Sequence, residues 1–222
     1  MKLFRKLKII ILLGPPGSGK GTQAELIAQK FNLKYLGSGD TLRTRQKVND
    51  FTGRKLAEIL KKGELTPSFI IIKILGDILE NLKKGFKIKG FVLDSWTREL
   101  LEAILIDEAL KWYEWDKNVK VFFINISEKE CFDRLTKRRQ CKKCNRIIPW
   151  IGEFKKLKKC DKCEGELIIR PDDNLEGIKE RLKGYRKETL PVINYYKKQK
   201  RLIEIDGEQS IENVFKAILK KI

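Results

Sequence analysis

Histidine is absent from the sequence. Its absence excludes Ser-His-Asp and Cys-His nucleophilic schemes, histidine metal ligands and a histidine-based pH switch. Any proton transfer must therefore use carboxylates, lysine or water. Internal repeats and low-complexity tracts are also lacking. The 222 residues suffice for one core plus a small insertion, but not for two full-sized domains.

Long apolar runs are lacking too. No segment approaches the roughly 18 consecutive apolar residues that span a bilayer. The N-terminal stretch superficially resembles a signal peptide, but its uninterrupted apolar run covers only Ile9–Leu13, and Gly14–Gly17 follows in place of a small-residue cleavage site. That run fits a buried parallel strand better. We therefore expect a cytoplasmic protein without a membrane partner.

Negative charge is scarce, since 49 lysines and arginines outweigh 30 aspartates and glutamates to give a net charge of +19. Such a balance is compatible with a nucleic-acid or membrane surface. The lysines, however, form short clusters along the whole chain, such as Lys61–Lys62 and Lys197–Lys198, and no single predicted helix collects them. We favour an enzyme that handles polyanionic phosphates, and we do not expect nucleic acid as a partner.

Cysteine is limited to five residues. Four of them form two CxxC pairs and Cys131 stands alone, in a predicted helix that begins at Glu128. This arrangement indicates a reducing compartment and a metal site instead of a disulfide framework. Cys131 is most simply a small core residue.

Apolar strand-like runs alternate with helical patterns over most of the chain. The predicted strands are Ile9–Leu13, Phe91–Asp94, Val119–Ile124 and Leu202–Ile205. The predicted helices are Lys20–Phe31, Thr41–Gln46, Phe51–Lys62, Ser68–Lys83, Arg98–Trp112, Glu128–Arg139 and Ile211–Ile222. Strands separated by helices predict a parallel sheet with helices on both faces.

One further helix has a start signal of its own. Asp173, followed three residues later by Glu176, gives a capping signal. The helix then runs toward Gln199, with an interruption expected near Pro191, because proline cannot donate a backbone hydrogen bond.

The sequence Gly14–Lys20 matches GxxxxGK between the first strand and the first helix, a pattern typical of a nucleotide-binding phosphate loop. Glycines let backbone N–H groups converge on phosphate oxygens, and the helix N-terminus adds a favourable dipole. Lys20 is placed to reach the β- and γ-phosphates. The strict motif has Ser or Thr directly after the lysine, whereas here Gly21 stands there and the hydroxyl follows at Thr22. GPPGSGKGTQ is the form found in adenylate kinases, and the chain resembles that family from here onward.

Segments that resemble the acceptor side of that family follow in order. Gly37–Arg43 resembles the family's STGDxLR, with Ser38 at the threonine position. The resemblance implies that Arg43 grips the acceptor phosphate, for which the guanidinium fork is well suited. The stretch Gly63–Thr66 resembles the segment whose backbone lines the base pocket.

Phe91–Arg98 resembles the family's strand that ends in D-G-F/Y-P-R. The resemblance implies that Asp94 holds Mg²⁺, through water, and that Arg98 clamps the acceptor phosphate. The chain departs from the pattern at three positions, where the family has glycine, Phe or Tyr, and proline. These are Ser95, Trp96 and Thr97.

Glu102 is a further departure, since the family usually has a glutamine there that reads the adenine edge. An ionised glutamate only accepts hydrogen bonds, so it matches adenine N6 but not N1, and guanine with donors at N1 and N2 suits it better. One hypothesis is an altered acceptor-base preference. The other is that Glu102 turns into solvent and pairs with a lysine while AMP is still used. We favour the second, because Ser38 and the pocket loop resemble those of AMP-binding members.

A cysteine-rich insertion interrupts the helical periodicity between Gln140 and Ile169. Its CxxC…CxxC spacing is typical of zinc, and four thiolates make a closed tetrahedral structural site. Such a metal can fold a stretch too polar to form a core. A redox CxxC or a chance cluster is disfavoured by the pairing, and a basic zinc ribbon that binds nucleic acid stays as a second hypothesis. The ligands are Cys141, Cys144, Cys160 and Cys163.

The segments that flank this insertion match the family's arginines and its Asp-Asp pair, here Asp172 and Asp173. The resemblance implies that Arg138 and Arg170 close on the phosphates of both nucleotides. It also implies that Arg181 binds the acceptor phosphate, and that Arg134 and Gln209 lie against the donor adenine.

The resemblance implies the P-loop kinase fold, with a parallel five-stranded sheet, helices on both faces, a zinc-binding lid and a helical monophosphate-binding insertion. The core would comprise residues 1–36, 67–136 and 174–222, the insertion 37–66 and the lid 137–173. The implied reaction is MgATP + AMP ⇌ MgADP + ADP, without a protein nucleophile. Mg²⁺ and a structural Zn²⁺ are the implied cofactors, and a monomer is expected.

Three groups of residues follow from the resemblance. The catalytic group is Lys20, Arg98, Arg138, Arg170 and Arg181. The ATP-binding group is Gly17, Ser18, Gly19, Lys20, Gly21, Thr22, Arg134, Arg138 and Gln209. The AMP-binding group is Ser38, Arg43, Glu64, Leu65, Thr66, Ser95, Trp96, Thr97, Arg98, Glu102, Arg170 and Arg181. Two alternatives remain, a kinase for another monophosphate such as GMP and a zinc-ribbon P-loop protein that binds nucleic acid with strong salt dependence.

Overall fold

A computed structural model describes residues 8–85, 88–170 and 173–222. The strands are β1 Lys8–Leu13, β2 Lys34–Gly37, β3 Gly90–Asp94, β4 Val119–Asn125, β5 Arg139–Cys141, β6 Ile147–Ile148, β7 Leu167–Ile168 and β8 Leu202–Asp206. The α-helices are α1 Lys20–Phe31, α2 Ser38–Arg45, α3 Phe51–Lys62, α4 Ser68–Lys84, α5 Leu100–Trp112, α6 Glu128–Lys137, α7 Leu175–Gly184, α8 Leu190–Lys198 and α9 Ile211–Leu219.

The central sheet has five parallel strands in the order β2-β3-β1-β4-β8. Residues of β1 alternate between two cores, as the two-residue period of a strand requires. Ile9 and Ile11 pack on the face covered by α4, α5 and α8, and Ile10 packs on the face covered by α1 and α9. Both faces are therefore buried, which explains the unbroken apolar run. The predicted α/β fold is confirmed.

The strand register brings the carboxyl ends of the strands together at one edge. Leu12 pairs with Asp94 of β3, and Gly37 of β2 pairs with the same residue. On the other side, Leu13 pairs with Phe123 of β4. Loops that follow these strands meet here, which is where ligands bind in such sheets.

Several element predictions need correction. The helix α6 ends at Lys137 and not at Arg139, which begins the short strand β5. The list of predicted strands lacks β2, because its four residues, which include a lysine and a glycine, carry no clear alternation. The helix α5 begins at Leu100 and not at Arg98. Glu99 is its N-cap, and the side chain of Glu102 accepts the N–H groups of Arg98 and Glu99.

The helical run after the insertion is capped differently from the prediction. Asn174 is the N-cap of α7, and its side chain accepts from Gly177 N at 2.7 Å. The expectation that Asp173 caps this helix is wrong, since its carboxylate binds arginines instead. The interruption near Pro191 is confirmed as a π-helical segment, Tyr185–Thr189, which joins α7 to α8.

The cysteine-rich insertion folds as a small antiparallel sheet in the order β6-β5-β7, with a 3₁₀ turn at Gly152–Lys156. Its strands are two or three residues long, so they bury little apolar surface. Asp172 lies outside the described residues. Within the described ranges, no helix has the length and apolar character to cross a membrane.

Candidate active site

The phosphate loop occupies the connection from β1 to α1. Gly14, Gly17 and Gly19 have φ values of +152°, +83° and +88°, where residues with a Cβ are strained. A Cβ on Gly14 would also lie 2.5 Å from the carbonyl oxygen of Ile124. The N-cap Gly19 has no side chain to cap α1, so the first N–H groups of this helix face the hollow of the loop.

Two side chains of this loop fit a phosphate ligand. Ser18 is 3% exposed, and its hydroxyl oxygen has no hydrogen-bond partner among the described residues. Lys20 folds back over the loop and donates from Nζ to the carbonyls of Gly14 and Pro15, both at 2.9 Å. Burial lowers the pKa of Lys20 to about 8, with Asp94 acting in the opposite direction and Arg98 and Arg181 adding to the decrease.

Asp94 ends β3 beside the first turn of α1. Its carboxylate accepts from Ser95 Oγ at 2.9 Å and from Tyr35 Oη at 3.3 Å. A Cβ on Gly21 would lie 3.3 Å from Asp94 Oδ2, so a larger residue there would crowd the carboxylate. A carboxylate beside a phosphate loop suits Mg²⁺. The hydrogen bond from Tyr35 to Asp94 cannot be predicted from the sequence, because the pairing of β2 with β3 brings the two residues together.

Ser95 joins the donor and acceptor sides. It has a φ of +63°, in the left-handed region, where the related pattern has glycine. While its hydroxyl donates to Asp94, its carbonyl accepts from Ser38 Oγ at 2.7 Å. A strained turn therefore connects the carboxylate to the Ser38 hydroxyl.

The next two residues are buried below the cleft. Trp96 is 1% exposed, and its Nε1 donates to Leu36 O at 3.0 Å. Thr97 is equally buried, and its hydroxyl has no partner in the described part of the chain. The Trp96 side chain thus supports β2 and packs in the core, and in this structure both residues lie out of reach of solvent.

Glu102 is 3% exposed. Its Oε2 accepts from the N–H of Arg98 at 2.7 Å and from the N–H of Glu99 at 3.0 Å. Burial raises its pKa to about 7, against the opposing effect of these two bonds. The expectation that Glu102 turns into solvent and pairs with a lysine is wrong, because capping of α5 holds the carboxylate inside.

Cationic side chains converge opposite the phosphate loop. Desolvation within the cleft lowers the pKa of Arg98, although part of the side chain still reaches solvent, and the charge of Arg181 lowers it further. Arg43 also contributes to this decrease and itself pairs with Asp40 at 2.6 Å. These effects place Arg98 near Arg43, Arg181 and Asp94, and they place Arg98 and Arg181 near Lys20.

The segment between α3 and α4 presents the remaining acceptor candidates. Glu64 is exposed and Leu65 is half-buried. Thr66 is buried, and its hydroxyl is another atom without a partner among the described residues.

The arginines around the insertion share one carboxylate. Arg138 donates from Nε and Nη2 to Asp173 at 2.7 and 2.6 Å, and Arg181 donates from Nη1 at 2.7 Å. The Asp173 side chain is completely buried. Charge-assisted bonds of this kind are strong, so they fix both guanidiniums. Arg170 follows the last strand of the insertion and is half-buried.

Residues predicted for the donor base meet at the loop after β8. Arg134 is buried, pairs with Glu130 at 2.6 Å, and donates to the carbonyl of Gly207 at 2.9 Å. Gln209 lies on the same loop and is bonded to Asp206. The structure thus brings Arg134 and Gln209 to one loop. Thr22, the hydroxyl residue of the phosphate-loop motif, lies in the first turn of α1.

The four paired cysteines form a metal-binding cluster, with all Sγ atoms within 4.8 Å of one another. Cys141 Sγ lies 3.4 Å from Cys163 Sγ, and Cys144 Sγ lies 3.6 Å from Cys160 Sγ. Tetrahedral zinc, with Zn–S bonds of about 2.3 Å, requires sulfurs about 3.8 Å apart. The donor set and its spacing therefore fit a closed tetrahedral site.

The two CxxC knuckles have the same turn. Asn145 N donates to Cys141 O at 2.9 Å, and Glu164 N donates to Cys160 O at 2.8 Å. Both donors have left-handed backbones, with φ of 60° and 56°. Gly165 follows the second knuckle, where a Cβ would lie 2.7 Å from Cys141 Sγ.

The phosphate loop, the facing carboxylate and the converging arginines define a phosphate-loop nucleotide-binding protein with a metal-binding insertion. The family model described as adenylate kinase matches residues 12–201. The chain is 40% identical over 218 residues to an adenylate kinase of Archaeoglobus fulgidus, covering 96% of this chain and 98% of the relative. It is 37% identical to an adenylate kinase of Thermosipho melanesiensis, with coverage of 96% and 98%. The chain belongs to the adenylate kinase family and is a nucleoside monophosphate kinase, which confirms the resemblance.

Proposed function

We propose that this chain reversibly transfers the terminal phosphoryl group of ATP to AMP, giving two ADP. The observation that carries the proposal is the convergence of Lys20, Asp94 and the acceptor arginines at one sheet edge. Two phosphate-binding groups that face each other suit transfer between two nucleotides. Positioning and charge stabilisation suffice for such a reaction, so no protein nucleophile is needed.

On the donor side, the loop amides and Lys20 would hold the phosphates. Lys20 would leave the carbonyls of Gly14 and Pro15 to reach the β- and γ-phosphate oxygens. Asp94 would hold Mg²⁺ through water, and the bound ion would offset phosphate charge. The base would lie between Arg134 and the loop that carries Gln209.

On the acceptor side, Arg43, Arg98 and Arg181 would bind the phosphate of AMP. Bidentate guanidinium contacts fix both the position and the direction of a phosphate. The hydroxyl of Ser38 and the main chain of Glu64–Thr66 would line the remainder of the pocket. The cluster of positive charge is expected to attract the acceptor before the chemical step.

The insertion at 137–173 would act as a lid over the core, with 37–66 as the monophosphate-binding part. Arg138 and Arg170 would approach the transferred group on closure. Closure over both nucleotides excludes water and so prevents ATP hydrolysis. We propose Zn²⁺ as the lid metal, because four thiolates and a closed geometry favour it.

A coupled assay of ADP formation, run with ATP and each of AMP, GMP, CMP and UMP, tests the proposed function. We expect the highest kcat/KM with AMP and no need for nucleic acid. Lys20→Met should abolish turnover while the fold remains intact by circular dichroism. A preference for GMP, or ADP release from ATP without an acceptor, would contradict the proposal.

The proposal also places the enzyme in the cytoplasm as a monomer. Four of its five cysteines form a metal-binding cluster and none is in a disulfide, which suits a reducing compartment. Light scattering after size-exclusion chromatography should give the 26.0 kDa mass of a single chain. A stable dimer would contradict that part.

A further inference from the structure

The main chain of Arg98 is anchored on both sides. Its N–H donates to Glu102 Oε2 at 2.7 Å, and its carbonyl accepts from Thr189 Oγ1 at 3.0 Å. Arg98 itself lies in the connection between β3 and α5, outside regular secondary structure. Its backbone therefore depends on these side chains for its hydrogen bonds.

The carboxylate of Glu102 is fixed in this role. It is 3% exposed and receives a second amide, Glu99 N, at 3.0 Å on the same oxygen. Glu99 is held in turn, since its carboxylate binds the hydroxyl of Ser68 on α4. With two N–H groups on it, Oε2 is not available to a base edge, and because the whole residue is 3% exposed, Oε1 is also largely closed to one.

The second anchor comes from a distant part of the chain. Thr189 ends the π-helical segment that follows α7, and α7 carries Arg181. The bond from Thr189 to the Arg98 carbonyl thus joins the segments that supply two of the three acceptor arginines, Arg98 and Arg181. Displacement of either segment would change the spacing of the two guanidiniums.

We propose that Glu102 and Thr189 are positioning residues that hold the Arg98 backbone for acceptor binding, and that Glu102 does not read the acceptor base. This inference rests on the proposed function, in which Arg98 binds the acceptor phosphate. Where the family has a glutamine that contacts the base, this chain has Glu102, whose carboxylate contacts the main chain of Arg98 instead. The acceptor KM, and not base preference, is then what these side chains control.

Steady-state kinetics of four variants and the wild type test this inference, with each substrate varied in turn. Glu102→Gln keeps an acceptor oxygen for the amides, so its KM for AMP should stay within about threefold of wild type. Glu102→Leu leaves two N–H groups without an acceptor and should raise that KM about tenfold or more. In both variants the KM for ATP should change less than about twofold.

Thr189→Val provides a second test at a half-buried position where folding is not at risk. We expect a rise in the KM for AMP of about threefold, as for one lost hydrogen bond. Thr136→Val is the matched control, because the Thr136 hydroxyl binds only carbonyls of its own helix. It should leave both KM values unchanged. The ratio of kcat/KM for AMP to that for GMP should be the same in all five proteins.

Several results would overturn the inference. A tenfold change of the AMP-to-GMP ratio in Glu102→Gln would make Glu102 a base reader. Equal rises of both KM values in Glu102→Leu would indicate a general structural defect. If Glu102→Leu does not fold, Thr189→Val decides, and an effect no larger than that of Thr136→Val would refute the anchor. Wild-type protein without activity on any monophosphate would refute the proposed function itself, whereas the outcomes above refute only the inference.

Discussion

Arg138 and Asp173 form a bidentate ion pair across the base of the metal-binding insertion, with distances of 2.7 and 2.6 Å. Arg138 is the C-cap of α6 and Asp173 precedes the N-cap of α7. The pair therefore joins the chain where it enters the insertion to the chain where it leaves. Because Arg181 binds the same carboxylate, this junction also sets the position of an acceptor arginine.

Replacement of Asp173 by asparagine should loosen this junction. Asparagine has the same shape as aspartate but lacks the charge that holds the two guanidiniums. The Asp173 side chain is fully buried, so water cannot replace the lost interaction. We expect the free energy of unfolding to fall by about 2–3 kcal/mol, together with a lower kcat. Urea denaturation and turnover measurements check this.

Asp161→Asn is the matched control, because Asp161 pairs with Arg146 at 2.9 Å at a partly exposed site. Such pairs contribute at most about 1 kcal/mol. Equal stability losses in the two variants would contradict the role assigned to Asp173.

Two substitutions of Ser95 separate its hydroxyl from its backbone strain. Glycine and alanine both remove the 2.9 Å bond to Asp94, so both should raise the Mg²⁺ concentration for half-maximal activity severalfold. Only glycine relieves the φ of +63°, so Ser95→Gly should be more stable than Ser95→Ala by about 1 kcal/mol. Magnesium titrations and thermal melting measure the two effects. A shift in only one variant's magnesium dependence would show that the hydroxyl does not support Asp94.

The cysteine cluster predicts one tightly bound metal ion per chain. Cys144→Ser should lose the ion and lower both the melting temperature and kcat, because the insertion has little apolar core to hold it together. Cys131→Ala should keep full metal content, since Cys131 lies on α6 in a buried apolar cluster and is not one of the four clustered cysteines. Elemental analysis of the purified variants decides. Metal loss from Cys131→Ala, or full occupancy in Cys144→Ser, would contradict the assignment.

The lowered pKa of Lys20 predicts opposite pH effects on binding and stability. The protonated amine attracts phosphate, so kcat/KM for ATP should fall as pH rises through about 8. The pH dependence of kcat reports the nucleotide-bound enzyme, in which phosphate favours the protonated amine, so kcat should stay constant to a higher pH than kcat/KM does. Without ligand, the unfolded chain binds a proton that the folded chain releases between about 8 and 10.5, so the free energy of unfolding should rise with pH there. Lys20→Met should lack this rise, and a flat kcat/KM profile for the wild type would refute the prediction.

The sequence predicted features that depend on local spacing. Glycines of the phosphate loop and the CxxC pairs are recognisable because each motif is complete within a few residues. The roles of Tyr35 and Asp173 were not predictable, since they depend on strand pairing and on contacts between distant helices. The role of Glu102 was likewise not predictable from its position in the motif. That position suggests a contact with the ligand, whereas the folded chain uses its carboxylate to accept the N–H groups at the start of α5.

The missing side chain at Gly21 has a consequence for hydration. Magnesium dehydrates reluctantly and keeps several water molecules when it binds protein carboxylates. With only a backbone at position 21, the space beside Asp94 Oδ2 stays open to solvent molecules. A magnesium ion held there would therefore keep its water shell beside this carboxylate, whereas a serine or threonine at that position would offer its hydroxyl in place of one of those waters.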